Sequence, residues 1–301
     1  MAARAPEPMW VRITVTVSAD AAPGIADLLL SLAHGVEEQP SAAGVRLVAY
    51  LPADSDVEGA VKHLRERLEA LRSADVAMGQ GRVARRRVRS QVWQEAWKAG
   101  FDVVRVGQQL AIKPTWKEYA AAPGEVVVEL DPGMAFGTGQ HATTRGCLVA
   151  LANLVRPGMT VFDIGSGSGI LAIAAAKLGA RRVIAVEINE SVARIARSNV
   201  ALNSVADGVL VMCGDRLRCI CGRADIIIAN LTSDQIARMA PDVILYLRPK
   251  GVFVASGIAL EQEADVRKAL SRAGLVLREP QREEEWVTMT WELSRDASVA
   301  G

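Results

Sequence analysis

The sequence predicts an α/β fold, a seven-stranded sheet wound by helices, with a small α+β domain ahead of it. Three observations carry this. Residues 161–187 read V-F-D-I-G-S-G-S-G-I-L-A-I-A-A-A-K-L-G-A-R-R-V-I-A-V-E: an apolar strand, glycines at 165, 167 and 169, an alanine-rich helix, and a second apolar strand closed by Glu187. From residue 160 onward apolar runs alternate with helical patterns, the signature of a parallel sheet. The first 90 residues show the order β-α-β-β-α-β on their own periodicities, which fits a ferredoxin-like domain.

Residues 10–17 alternate as a strand. Asp20 is placed to cap a helix reaching about residue 34, with Leu28, Leu29 and Leu32 on its apolar face. Short strands follow at 35–39 and 44–51. Asp54 or Asp56 opens a second helix, with Val57, Val61, Leu64, Leu68 and Leu71 at helical spacing. A basic strand over 82–89 closes a first domain of residues 1–90. A connector, 91–129, carries Trp93, Trp97, a hairpin-like stretch around 103–112 and Pro114-Thr115-Trp116. The main domain, 130–294, begins with E-L-D-P-G-M-A-F-G-T-G-Q-H-A-T-T over 129–144, which runs into a helix ending near 155. Its strands are expected at 161–164, 182–187, 209–213, 225–229 and 251–257, with a closing antiparallel pair at 275–279 and 286–292. Residues 295–301 read as a frayed tail.

The carboxyl edge of a parallel sheet is where a nucleoside pocket forms. Glycine lets the backbone turn sharply and lets a ligand approach with no Cβ in the way. Dinucleotide folds space their glycines G-x-G-x-x-G; here the spacing is G-x-G-x-G, with Asp163 just before it. This form resembles the S-adenosylmethionine (SAM) methyltransferases of the Rossmann-like class. Gly165, Gly167 and Gly169 are then expected against the methionine part and ribose of the cofactor, and Glu187 on the ribose hydroxyls. Asp215, after the third strand, resembles the acid that hydrogen-bonds the adenine amino group.

Asn230 ends the fourth strand. Amino-methyltransferases place an Asn or Asp there, and its oxygen, with the next backbone carbonyl (here Leu231), accepts hydrogen bonds from the attacking amine. No proline pair follows Asn230, which points away from planar amides and bases as acceptors. In the Phe136–Thr144 loop, Thr143 and Thr144 are expected to cap the following helix and offer hydroxyls to the cofactor carboxylate. His141 is read as a hydrogen-bonding or packing residue more readily than as a base. The cluster Arg82, Arg85, Arg86, Arg87 and Arg89 is either the solvated face of an edge strand or a contact for an RNA-rich or acidic partner.

Composition bounds the rest. The chain has 301 residues, half of them hydrophobic, and a formal net charge of +1, so no bulk charge points to nucleic acid or membrane. No apolar run reaches the ~18–20 residues of a membrane span, and the amino terminus lacks the apolar core of a secretory signal. Cys147, Cys213, Cys219 and Cys221 make neither a disulfide framework nor a complete ligand set, so no metal is expected and free thiols in a reducing cytoplasm are.

The D-P-G-M-A-F-G-T-G-x-H-x-T-T run, the D-I-G-S-G-S-G-I-L-A-I-A-A loop and the A-N-L strand end resemble, in order and spacing, the ribosomal protein L11 methyltransferases, the PrmA family. W-Q-E-A-W-K and the late E-E-E-W agree with it too. The resemblance covers about 92–291 and implies a Rossmann-like, seven-stranded SAM-methyltransferase domain behind a small ferredoxin-like domain. It implies N-methylation of lysine or α-amino groups on a large-subunit ribosomal protein, gripped by the first domain. Carried over by position, Thr144, Gly165, Glu187 and Asn230 contact the cofactor. With Phe136, Thr143, Asp163, Gly167, Gly169 and Asp215 they make up the expected SAM site, Asn230 and Leu231 are the expected catalytic pair, and ribosomal RNA is the RNA-rich partner expected if Arg82–Arg89 is a contact. Other readings are a methyltransferase for another protein lysine or for RNA, a dinucleotide dehydrogenase, and a binding module without catalysis.

Overall fold

The structure, a computed structural model, describes residues 9–32, 36–53, 55–73, 79, 81–89, 101–131 and 135–293. Trp93, Trp97, Asp54, His34, the 132–134 part of the loop and the tail lie outside the described residues. The chain forms two compact units, which divide between Phe101 and Asp102.

The first unit has strands β1 (Met9–Val17), β2 (Val36–Ser41), β3 (Gly44–Pro52) and β4 (Arg82–Arg89), with helices α1 (Ala22–Leu32) and α2 (Val57–Ser73). The sheet order is β2-β3-β1-β4, with every neighbouring pair antiparallel. Strand alternation sends Val11, Ile13, Val15 and Val17 to one face, where they pack with Ile25, Leu29, Leu64 and Leu68 of the helices. Each such fully buried side chain contributes about 1.5–3 kcal/mol. Asp56 starts α2, its Oδ1 accepting from the Gly59 amide at 2.9 Å. At α1 the hydroxyl of Ser18 makes that kind of turn, accepting from the Ala21 amide at 3.2 Å, where the sequence suggests Asp20.

In the second unit β5 (Val104–Val106), β6 (Leu110–Pro114) and β7 (Val126–Leu130) form a three-stranded sheet, β5-β6-β7. Residues 104–130 therefore pack as part of this unit: Val106, Leu110, Ile112, Val128 and Leu130 share one core with the main domain. The main sheet is β8 (Thr160–Ile164), β9 (Arg182–Glu187), β10 (Val209–Cys213), β11 (Ala224–Asn230), β12 (Leu247–Ala259), β13 (Leu275–Glu283) and β14 (Trp286–Leu293). Its order is β10-β9-β8-β11-β12-β14-β13. The first five strands run parallel, and β14 and β13 close the edge antiparallel.

Helices α3 (Ala142–Leu154), α4 (Ile170–Lys177) and α5 (Glu190–Leu202) cover one face; α6 (Ser233–Tyr246) and α7 (Glu263–Arg272) cover the other. Alternation feeds both: Val161, Ile226 and Ile228 point to the first set of helices, Phe162, Ile164 and Ile227 to the second. The strand order reverses at β8, between β9 and β11, and the carboxyl ends of strands at such a point are where open α/β sheets hold their ligands. Among the described residues, no helix is long and apolar enough to cross a membrane.

Candidate functional site

The glycine loop leaves β8 at the reversal point. Gly165, Gly167 and Gly169 have φ of 75°, 52° and 83°, the left-handed region that side chains disfavour. The Gly165 and Ser166 amides donate to the Val186 carbonyl at 2.8 and 3.0 Å. The Gly167 amide donates to Glu187 Oε2 at 3.1 Å, and the Asn189 amide to Oε1 at 3.0 Å. Glu187 is thus locked at the end of β9. A Cβ on Gly165 would strike the Leu231 side chain, and one on Gly167 the Phe136 carbonyl oxygen, each at 2.5 Å. The glycines let the other two motif segments close onto this loop.

Asp163 lies just below, fully buried. Its Oδ2 accepts from the Ala172 amide at 3.0 Å, while Oδ1 is buried with no protein partner. Burial pushes its carboxyl up to about 7; the Ala172 amide pulls the other way and the Glu187 charge adds to the rise.

The Phe136 loop is tied to the glycine loop by the Ser168 amide, which donates to the Phe136 carbonyl at 2.9 Å, and by the Ser168 hydroxyl, which donates to the Gly137 carbonyl at 2.5 Å. The cap of α3 is His141, not the two threonines: its Nδ1 accepts from the Thr143 amide at 3.3 Å. Thr143 Oγ1 stands 2.7 Å from the same Nδ1. Asn230 Nδ2 donates to Thr143 Oγ1 at 3.2 Å and to Thr144 Oγ1 at 3.3 Å. Beside it, the Leu231 amide donates to the Ser256 carbonyl at 3.0 Å. Gly257 has φ of 82°, and a Cβ there would overlap the Leu231 carbonyl oxygen and stand 3.0 Å from Asn230 Oδ1. Two acceptor oxygens therefore lie side by side, packed against Gly257 at an approach that only glycine allows. The Phe136 ring is 53% exposed; its centroid lies 5.7 Å from the His141 ring, which lies 5.0 Å from Trp286.

A family model described as ribosomal protein L11 methyltransferase (PrmA) matches residues 10–293. The chain belongs to the PrmA family. A ribosomal protein L11 methyltransferase from Pelotomaculum thermopropionicum is 44% identical over 255 residues, covering 84% of this chain and 82% of that one. One from Caldanaerobacter subterraneus subsp. tengcongensis is 36% identical over 303 residues, covering 93% and 97%. Among solved structures, the ribosomal protein L11 methylase of Lactobacillus delbrueckii subsp. bulgaricus superposes with a TM-score of 0.60 at 29% identity, covering 65% of this chain and 99% of that one.

Two site-forming residues of this PrmA-family chain escaped sequence reasoning. Asn199 and Asn203 lie one turn apart on α5, both buried. Asn199 accepts from the Asp131 amide at 3.0 Å and donates to the Ser168 carbonyl at 2.9 Å, joining the start of the Phe136 loop to the glycine loop. Asn203 accepts from the Glu129 amide at 3.0 Å and donates to the Glu129 carbonyl at 2.6 Å. The signal is N-x-x-x-N on the apolar face of a helix, two amides where alanine and valine otherwise pack. Asn199→Ala strands an amide and a carbonyl, so it should destabilise the fold by about 1–3 kcal/mol. Urea unfolding checks this; a midpoint equal to wild type would show that the clamp carries no load.

Asp215 sits beyond β10, whose Cys213 pairs in register with Glu187. Its carboxylate pairs with Arg216 at 2.8 Å and Arg218 at 3.7 Å, and the Arg216 hydrogen bond holds it below the usual carboxylate range. The four cysteines are free thiols, and burial pushes the Cys147 thiol up to about 12, which keeps it unreactive. Among the described residues, no cluster of His, Cys, Asp or Glu is arranged to hold a metal.

Proposed function

We propose that the chain transfers methyl groups from SAM to amino groups of ribosomal protein L11, at lysine side chains and the α-amine. One observation carries the reading. Asn230 Oδ1 and the Leu231 carbonyl, two acceptors, lie side by side at the end of β11, both near Gly257, at the sheet's reversal point and against the glycine loop. A primary amine offers N–H groups to such a pair and leaves its lone pair free to attack.

The residues present fit SAM. Asp163 Oδ1, buried and unpartnered, suits the α-ammonium of its methionine part. Thr144, whose oxygen accepts from Asn230, keeps its proton for the carboxylate. The Glu187 oxygens each retain lone pairs for the ribose hydroxyls, and Asp215 borders the adenine end. Gly165, Gly167 and Gly169 line the approach, and Phe136 closes it. SAM supplies a methyl already activated by its sulfonium.

The protein's task is then positioning for in-line displacement. The acceptor must be neutral, yet a free lysine has a pKa of about 10.4. The apolar walls of Phe136, Leu231 and Trp286 favour the neutral form. Asn230 and Leu231 aim its lone pair, and the proton leaves to water. The test is methyl transfer from labelled SAM to purified L11, with mass spectrometry of the product. Label in amines of L11 supports the reading; label that nuclease removes, or that appears on another protein alone, overturns it.

The unit before residue 102 is proposed to grip L11. Removing residues 1–101 should raise the KM for L11 at least about ten-fold with SAM binding retained; an unchanged KM would refute the grip. Arg82–Arg89 is proposed to touch ribosomal RNA. Arg85 is committed to Glu58, whereas Arg86 stands opposite Arg12, a like-charged pair that a phosphate would relieve. A gel shift with a ribosomal RNA fragment, weakened by Arg86→Glu, tests this; no shift at low salt refutes it. A cytoplasmic location follows from that substrate, and cell fractionation checks it: recovery in the membrane fraction would refute it.

A further inference from the structure

We propose that His141 is a positioning residue: acting through Thr143, it fixes which end of the Asn230 amide faces the acceptor amine. The inference rests on the reading of Asn230 as the group that orients that amine.

One chain of contacts sets where each proton sits. The Thr143 amide points at His141 Nδ1 from 3.3 Å. A backbone amide is only a donor, so Nδ1 must carry its lone pair and the ring proton must sit on Nε2. Thr143 Oγ1 lies 2.7 Å from that same Nδ1, so the hydroxyl proton points to the ring and shares its one Nδ1 lone pair with the longer amide contact. With its one proton used, Thr143 Oγ1 can only accept from Asn230. The Asn230 atom 3.2 Å away must therefore be Nδ2, and Thr144 Oγ1 accepts from it as well, at 3.3 Å. The oxygen and nitrogen of an amide are otherwise interchangeable in shape. Here a capping histidine settles the choice and keeps Oδ1 on the Gly257 side, beside the Leu231 carbonyl.

Protonation of His141 reverses the chain. With a proton on Nδ1, ring and backbone amide would present two donors to each other, and Thr143 would have to accept from the ring. Its hydroxyl would then donate to Asn230, favouring the flipped amide, with Nδ2 toward the substrate. A donor facing the amine repels its N–H groups. Burial, chiefly, and the positive charge of Arg145 hold the His141 pKa below its usual value; Glu283, Glu284 and Glu285 of the facing hairpin oppose them. Phe136 and Trp286 pack on the ring from either side. The ring thus stays neutral at neutral pH and the active orientation prevails.

The test is steady-state methylation of L11 by the full-length enzyme at saturating SAM, between about pH 5 and 9. Thr143→Val deletes the relay hydroxyl at nearly constant volume. Its kcat should fall about 10²-fold, with the KM for SAM within about three-fold of wild type. Thr143→Ser should recover most of that loss. In the wild type, log kcat should fall with unit slope from the acceptor amine and steepen to about two where His141 also titrates. His141→Asn keeps an acceptor near the Nδ1 position and cannot titrate, so the steepening should vanish while the unit slope remains. A Thr143→Val enzyme with wild-type kcat overturns the proposal, as does a steep acid limb that survives in His141→Asn. The function reading fails separately: in that case Asn230→Ala itself would be active.

Discussion

Replacing Asn230 with alanine is expected to lower kcat by about 10²–10³-fold and to leave the SAM dissociation constant within about three-fold. That loss is the scale found when one preorganised polar group at a reacting centre is removed. The side chain ends β11 and touches Thr143 and Thr144, both buried in the first turn of α3. Alanine removes the acceptor beside Gly257 while the Leu231 carbonyl stays in place, since the Leu231 amide still donates to the Ser256 carbonyl. Turnover should therefore suffer far more than cofactor affinity. Asn230→Asp should recover little. Thr143 gives its proton to His141 and would face a carboxylate with lone pairs alone. Steady-state kinetics and SAM calorimetry on both variants decide the matter, with thermal melting as the check on folding. Parallel losses of kcat and SAM affinity would mean that Asn230 builds the cofactor pocket and does not orient the amine.

The parts of the fold that were legible are those whose signal is local. The runs feeding β8 and β9 are mostly apolar, as strands buried on both faces are, with Asp163 the one acid inside β8, and each stops at a glycine or an acid. The place of Asn230 at the end of β11 was legible because a polar residue closes an apolar run there. β7 carries a plain strand signal, V-V-V-E-L, yet its pairing with β6 is parallel and spans a loop, so the segment reads as a linker until the partner is seen. Asn199 and Asn203 were hidden for a similar reason: their partners lie 68 and 74 residues away. Gly257 looks like an ordinary strand-end glycine until the Leu231 carbonyl is placed against it. His141 carries a local motif whose meaning depends on Asn230, a residue distant in sequence. Local periodicity identifies the elements; the proposed acceptor site depends on β11 and β12 meeting the start of α3, which no local pattern shows.

Asp163→Asn should stabilise the protein without SAM and weaken its hold on SAM. The carboxyl is fully buried and its folded pKa is raised from 3.8 to about 7, chiefly by burial. A raised pKa means the folded state binds the proton more tightly than the unfolded chain. The stability linked to it is complete below about pH 4 and is lost as pH rises through about 7. Above that, the fold carries a buried carboxylate with one unpartnered oxygen, a burden of about 4 kcal/mol. Asparagine cannot ionise, and its oxygen can still accept from the Ala172 amide. Urea unfolding should show the variant more stable by up to about 4 kcal/mol at pH 8 and nearly equal at pH 4. Its amide nitrogen, however, turns a donor toward the place where Oδ1 would meet the α-ammonium. SAM affinity should drop about 10²-fold at pH 8, the scale of losing one partner of a buried charged pair. Wild-type affinity should also tighten as pH rises through about 7, whereas the variant's should stay flat. A variant that unfolds more easily at pH 8 would make Asp163 a structural residue. One that binds SAM as tightly as wild type would remove it from the cofactor site, because the instability is accounted for only if the carboxylate is kept charged for a cation that arrives with the ligand.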